Sequence, residues 1–356
     1  MSQVQSQEKT QEKHVFLKTA GLLLAFCLFL ELFLRLFGYG SYTTYRPDER
    51  LLWVPVAGHS LTVINHLPET FNDQGFRRAE DVKTKQPGEF RVIAFGDSST
   101  QGWGVGDNST YSADLEKLLG QSGCSRKHFE VIDAGVNAYP NALVAEKLKE
   151  VLQDNVVQPD IAIVAYSYNS NFEKLTKLQG PAREAFLRRV RMKAILRRSA
   201  IYNFVVEGIL RRLVYYKLRH VIMAGTLSSL GGMEALDMDY FNQGLQQSVD
   251  LARAHHVQLV LLMLGSKGQT MNEAELFPFQ KAMIEFAEKE HVPMVNMIPV
   301  VSGKDQDAVF LDPVHPSVEG HEIIAQQLLH TVESLPPYEE VCGGTTKSAV
   351  AETSTH

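Results

Sequence analysis

Cysteine is scarce in this chain of 356 residues, and its three examples, Cys27, Cys124 and Cys342, lie far apart. An odd number at those spacings excludes a disulfide framework and a CxxC-type metal site, and leaves a single Cys124 to Cys342 bridge open. A strong charge excess is missing too. The net charge of -6 gives no pull toward polyanions, so nucleic acid is not an expected partner. No HExxH pattern is present, which counts against a metal site, and no other cofactor is expected. The G-x-S-x-G elbow of the α/β-hydrolases is also absent.

What the chain has instead begins at the amino terminus. After polar residues 1–14, residues 15–38 (VFLKTAGLLLAFCLFLELFLRLFG) are almost wholly apolar, and as a helix they have the length of a bilayer span. Lys18 can snorkel near one end, while Glu31 and Arg35, spaced i,i+4, can neutralise each other near the other. No small-x-small site follows, which favours an uncleaved anchor over a signal peptide. Flanking charge does not fix the orientation: Lys9, Lys13 and Lys18 on one side balance Arg35, Arg46 and Arg50 on the other.

Residues 39–90 carry Pro, Asn, Thr and Gly between short apolar runs, the pattern of a linker with a few short strands packed on the main domain. From residue 91 to 335 the pattern changes. RVIAFG, FEVIDAG, DIAIVAY, VQLVLLML and VPMVNM alternate with amphipathic helical stretches, which predicts an α/β domain with a central five-stranded parallel sheet covered on both faces. A basic helical insertion at about 180–235 interrupts it. Its apolar stripe suits contact with anionic head groups, a lid over a lipid-like substrate, or simple packing on the domain. Residues 336–356 are expected to be a disordered tail.

The first strand of that domain runs into GDSSTQGWG and so presents Ser98 at its carboxyl end, where open α/β sheets place ligands. A serine nucleophile needs a base, a carboxylate to orient the base, and donors for the oxyanion. In DPVHP, Asp312 precedes His315 by three residues, and Pro313 and Pro316 keep the segment from continuing as helix. Asp312 can then hold the Nδ1 hydrogen of His315 while Nε2 faces Ser98. A metal set of Asp312, His315 and His321 is the weaker alternative, because no further ligand pattern accompanies it. For the oxyanion, DAGVNAY offers the Gly135 backbone N–H and YSYNS offers the Asn169 side-chain amide.

GDSSTQG, DAGVNAY, YSYNS and DPVHP together resemble the four blocks of the SGNH (GDSL-type) hydrolases, over residues 91–335. NDQGFRR and the apolar helix further resemble membrane-anchored bacterial members. The resemblance implies a flavodoxin-like three-layer sandwich, with Ser98 as nucleophile, His315 as general base and Asp312 as its orienting partner. It implies an oxyanion hole from Ser98, Gly135 and Asn169. Ser167 and Ser170 stand where the third block usually has glycine and aspartate, and Ser99 where leucine usually follows the nucleophile. The implied activity is a membrane-anchored serine esterase working through an acyl-enzyme on acylated glycans or lipids outside the cytoplasm. The alternatives are an O-acyltransferase using the same triad, or a catalytically idle scaffold that binds glycan.

Overall fold

The chain is seen here as a computed structural model that describes residues 2–124, 128–166, 173–210, 213, 238–272 and 276–342. It divides into two units, one of Met1–Tyr42 with Met192–Gly225, the other of Thr43–Arg191 with Thr226–His356.

In the first unit, helix α1 (Ser2–Arg35) starts well before the apolar run, so residues expected to be a polar tail continue the helix. Its stretch Lys13–Arg35 is, among the described residues, the one helix long and apolar enough to cross a membrane. Glu31 and Arg35 form the i,i+4 ion pair at 2.8 Å. Glu31 does more than that pair requires. Its carboxylate accepts the Ser199 hydroxyl and the N–H groups of Ala200 and Ile201, at 2.9, 2.8 and 3.1 Å, and so satisfies the orphan donors that open the helix Ala200–Asn203. Asn203 Nδ2 donates to the Tyr39 carbonyl at 2.6 Å, and the Phe204 ring stands edge-on to Tyr39. Part of the expected insertion in the main domain therefore belongs with the amino-terminal helix, because that helix supplies its cap. Of the insertion, residues 211, 212 and 214–235 lie outside the described residues.

In the second unit, β1 (Tyr45–Asp48) and β2 (Leu52–Pro55) form one antiparallel hairpin, and β3 (Gly58–Leu61) and β4 (Pro68–Phe71) another. Leu51, Leu52, Trp53 and Val54 are buried in the main core, so this stretch is part of the domain's packing. The central sheet comprises β5 (Glu89–Phe95), β6 (His128–Asp133), β7 (Ile161–Tyr166), β8 (Gln258–Met263) and β9 (Met294–Asn296). Its order is β6-β5-β7-β8-β9 and every pairing is parallel. Successive side chains of a strand point to opposite faces, and both faces here are covered. Ile93 and Phe95 enter the core on one side, and Val92 and Ala94 the core on the other. Each fully buried large side chain stabilises the fold by about 1.5–3 kcal/mol before conformational entropy is counted.

The chain leaves β5 to form β6 on one side and then crosses to β7 on the other. That reversal puts a crevice at the carboxyl end of β5. Helices α2 (Ser98–Gln101), α3 (Tyr111–Gln121) and α4 (Asn141–Asp154) follow β5 and β6.

The carboxyl-terminal boundary needs correction. Pro336–Cys342 is a helix rather than the start of a disordered tail, because its Tyr338 ring packs against Phe90 and Phe129 and Cys342 is bonded to Cys124. Residues 343–356 lie outside the described residues.

Candidate active site

Ser98 is the first residue of α2, directly beyond β5. Asp97 caps that helix, its carboxylate accepting the Ser99 N–H at 2.9 Å. Gly96 has to be glycine for steric reasons: a Cβ there would sit 1.9 Å from Thr100 Oγ1. The short helix turns away at Gly102, whose φ of 77° lies in the left-handed region where glycine is favoured.

His315 and Asp312 arrive on the loop before the helix Val318–Glu333. Ser98 Oγ is 2.9 Å from His315 Nε2, and His315 Nδ1 is 2.7 Å from Asp312 Oδ2. Facing a carboxylate, Nδ1 carries the imidazole hydrogen and donates it to Asp312, which leaves Nε2 as an acceptor for the serine hydroxyl. Asp312 Oδ1 also accepts the N–H groups of Val314 and His315, both at 2.9 Å. Burial pushes its pKa up, but the hydrogen bond and charge of His315 and these two N–H donors outweigh burial and hold it below the usual carboxylate value. The Leu311 N–H donates to the His315 carbonyl at 2.9 Å, which closes the loop on itself. The three residues expected to cooperate are thus brought into one hydrogen-bonded chain. His321 turns elsewhere: fully buried, it accepts the Tyr111 N–H through Nδ1 at 3.1 Å, and burial pushes its pKa down to about 3.

Gly135 does not supply the expected oxyanion donor. Its N–H donates to Asp133 Oδ1 at 2.9 Å. The reason for glycine there is close approach, since a Cβ would sit 2.3 Å from the Gln101 N. Asp133 is fully buried, and burial pushes its carboxyl up to about 7, against the opposing charge of Arg77 and the Gly135 N–H. Three residues further on, Ala138 adopts a φ of 65°, rare for a residue with a side chain. No hydrogen bond among the described residues takes up its N–H. Asn169, with Ser167 and Ser170, lies outside the described residues.

Several supporting residues escaped the sequence reading. The Trp103 ring lies against His315, centroids 4.2 Å apart. Arg77, from the NDQGFRR segment, is buried and donates to the carbonyls of Gln101, Gly102 and Val105, the last two at 2.8 and 2.6 Å. It also pairs with Asp107 at 3.3 Å. Arg77 therefore grips the far end of the nucleophile turn. The segment's Gly and Arg were visible as a motif, but its target was not.

A serine, a histidine and an aspartate in hydrogen-bonding sequence at the carboxyl edge of a doubly wound sheet are the arrangement found in serine hydrolases. The sequence model of the GDSL-like Lipase/Acylhydrolase family matches residues 94–323. The chain belongs to that family. Solved structures with a similar course include a member of the lipolytic protein G-D-S-L family from Veillonella parvula, 12% identical, TM-score 0.43, covering 69% of this chain and 100% of that one. An acetyl xylan esterase, AlAXEase, is 14% identical with a TM-score of 0.43, covering 68% and 100%. The psychrotrophic esterase EstA from Pseudoalteromonas sp. is 10% identical with a TM-score of 0.42, covering 68% and 96%. Comparison with curated proteins finds no matching sequence.

Proposed function

We propose that the protein is a single-pass membrane-anchored esterase in which Ser98 attacks an ester carbonyl and forms an acyl-enzyme. His315 Nε2 takes the hydroxyl proton as the new C–O bond forms, and returns it to the departing alkoxide. Asp312 holds the imidazole in the required tautomer and stabilises its charged form. Water, activated by the same histidine, then releases the acid. The Ser98 N–H, the Ala138 N–H and the Asn169 amide are assigned to the oxyanion. The observation that carries this reading is the Ser98–His315–Asp312 chain of hydrogen bonds.

Acylated glycans or lipids outside the cytoplasm are the assigned substrate class. The apolar stretch Lys13–Arg35 supports anchoring. The Cys124–Cys342 disulfide supports an oxidising, extracytoplasmic side, since such bonds persist there and are rare in the cytosol. Exposed Met192 and Ile195, near the end of the helix Gly180–Leu196, support an amphiphilic substrate or surface. Transfer to an acceptor hydroxyl shares every step up to the acyl-enzyme, so an O-acyltransferase differs from this reading only in what replaces water.

The test is labelling of the detergent-solubilised chain by a fluorophosphonate, with the modified peptide located by mass spectrometry. Labelling at Ser98 that is lost in Ser98→Ala is the expected result. A folded protein that stays unlabelled overturns the catalytic assignment and favours a scaffold.

A further inference from the structure

Between β6 and α4 the chain makes a tight turn, Val136 to Tyr139, closed by the Tyr139 N–H donating to the Val136 carbonyl at 3.1 Å. The peptide joining Asn137 to Ala138 is the middle of that turn. It takes no part in the closing bond, and the two commonest turn types differ by a flip of this one peptide through roughly 180°. Which way it faces decides where the Ala138 N–H points. The positive φ of Ala138 is the conformation that the second type demands at this position, and it usually selects glycine. Something outside the turn has to hold it.

Two side chains do so. Trp53 Nε1–H donates to the Asn137 carbonyl at 3.0 Å, which fixes the plane of the 137–138 peptide. A trans peptide points its N–H opposite to its carbonyl, so pinning the carbonyl aims the Ala138 N–H. Trp53 is itself immobilised. It lies in β2, is buried, stands edge-on to the Tyr139 ring at 5.4 Å, and accepts the Tyr139 hydroxyl through its own carbonyl at 2.7 Å.

The preceding peptide is held by Gln101, whose Oε1 accepts the Asn137 N–H at 2.6 Å while Nε2 donates to the buried Glu69 at 2.8 Å. Gln101 is also the last residue of α2, the helix that begins with Ser98. The turn is thereby tied to the nucleophile's own helix. Nearby, the Val136 N–H bonds to the Gly96 carbonyl at 3.0 Å, two residues before Ser98.

We infer that Trp53 and Gln101 are positioning residues for the oxyanion hole: by holding the peptides on both sides of Asn137 they aim the Ala138 N–H at the oxygen that becomes negative when Ser98 attacks. This rests on the catalytic reading above. It gives the hairpin segment before the main domain a share in catalysis, through an indole N–H with no contact to substrate. A donor aimed at developing charge contributes in the transition state and little in the ground state. The effect therefore falls on kcat.

The experiment compares the full chain in detergent with Trp53→Phe, which keeps an aromatic ring but removes the N–H, and with Gln101→Met, which removes the acceptor. Turnover of p-nitrophenyl acetate, the rate of fluorophosphonate labelling and the thermal unfolding midpoint are read for each. The expected result is a fall in kcat and labelling rate of about 10–100-fold, the range seen when a supporting shell is removed, with KM within about twofold. Loss of stability alone, with kcat and labelling rate of the folded variants within about twofold of the parent, overturns the inference while leaving Ser98 labelling intact. Absence of labelling in the parent chain overturns the catalytic reading itself, and this inference with it.

Discussion

The indole of Trp103 lies over the imidazole of His315 with ring centroids 4.2 Å apart and planes inclined by 35°. The face of an indole attracts positive charge, which in the proposed reaction His315 gains when it takes the serine proton. The ring lies against that imidazole and restricts its rotation. Trp103→Leu is expected to lower kcat by about 2–30-fold, the equivalent of the ~0.5–2 kcal/mol usual for such a contact, with KM little changed. Steady-state kinetics on a small ester check it.

Asp312→Asn keeps an oxygen for the two backbone N–H groups of Val314 and His315 but offers the imidazole an amide hydrogen. The favoured tautomer reverses and Nε2 carries the hydrogen it should accept. A loss of about 10³–10⁴ in kcat is expected, with folding retained. Loss of kcat without loss of the unfolding transition is the discriminating readout.

Asp133 gives a prediction for stability against pH. Its carboxyl is raised from 3.8 to about 7 in the folded chain by burial. The folded state therefore holds a proton that the unfolded state has released between those values. Stability from this group is fully present below about pH 4 and is lost as pH rises through about 7. Asp312 has the opposite sign: its lowered pKa contributes stability that is lost as pH falls below the ordinary carboxylate range. Asp133→Asn is expected to flatten the decline between pH 4 and 7, as measured by denaturant unfolding at several pH values in that window.

Arg77→Met leaves the carbonyls of Gln101, Gly102 and Val105 without their buried donor. The Gly102 carbonyl keeps the Val105 N–H at 3.2 Å, and each of the other two buried carbonyls costs about 1–3 kcal/mol when unsatisfied, so a loss of at least ~2 kcal/mol of stability is expected. Arg77→Lys restores charge but not the fork, and should recover only part of it. Unfolding midpoints of the two variants decide the point.

What could be read from the sequence was local. β7 and the stretch from Val92 to Phe95 in β5 are continuous apolar runs, and the serine beyond β5 and the Asp-Pro-Val-His-Pro loop are each a few residues long, so their chemistry could be placed by strand ends. Glu31 and Arg35 were legible as a pair because a helix makes i,i+4 positions neighbours. The partners of Glu31 at Ser199, Ala200 and Ile201 were not, because 168 to 170 residues separate them. Gly135 misled for a related reason. A glycine at a strand end serves equally as a donor without obstruction or as a place where two backbones meet, and the second backbone, at Gln101, does not show in a linear sequence. Trp53, Arg77 and Trp103 act through tertiary contacts and carry no local signal of their role.

The bond between Cys124 and Cys342 spans 218 positions of sequence and closes most of the second unit into a covalent ring. β6, β7, β8 and β9 all lie on that ring, with Asp312 and His315, while β5 and Ser98 hang from it on the amino-terminal arm. A protease that cuts the ring once opens it without releasing a fragment. The nucleophile and its base stay on one molecule after such a nick, and the damage becomes visible by size only when the disulfide is reduced.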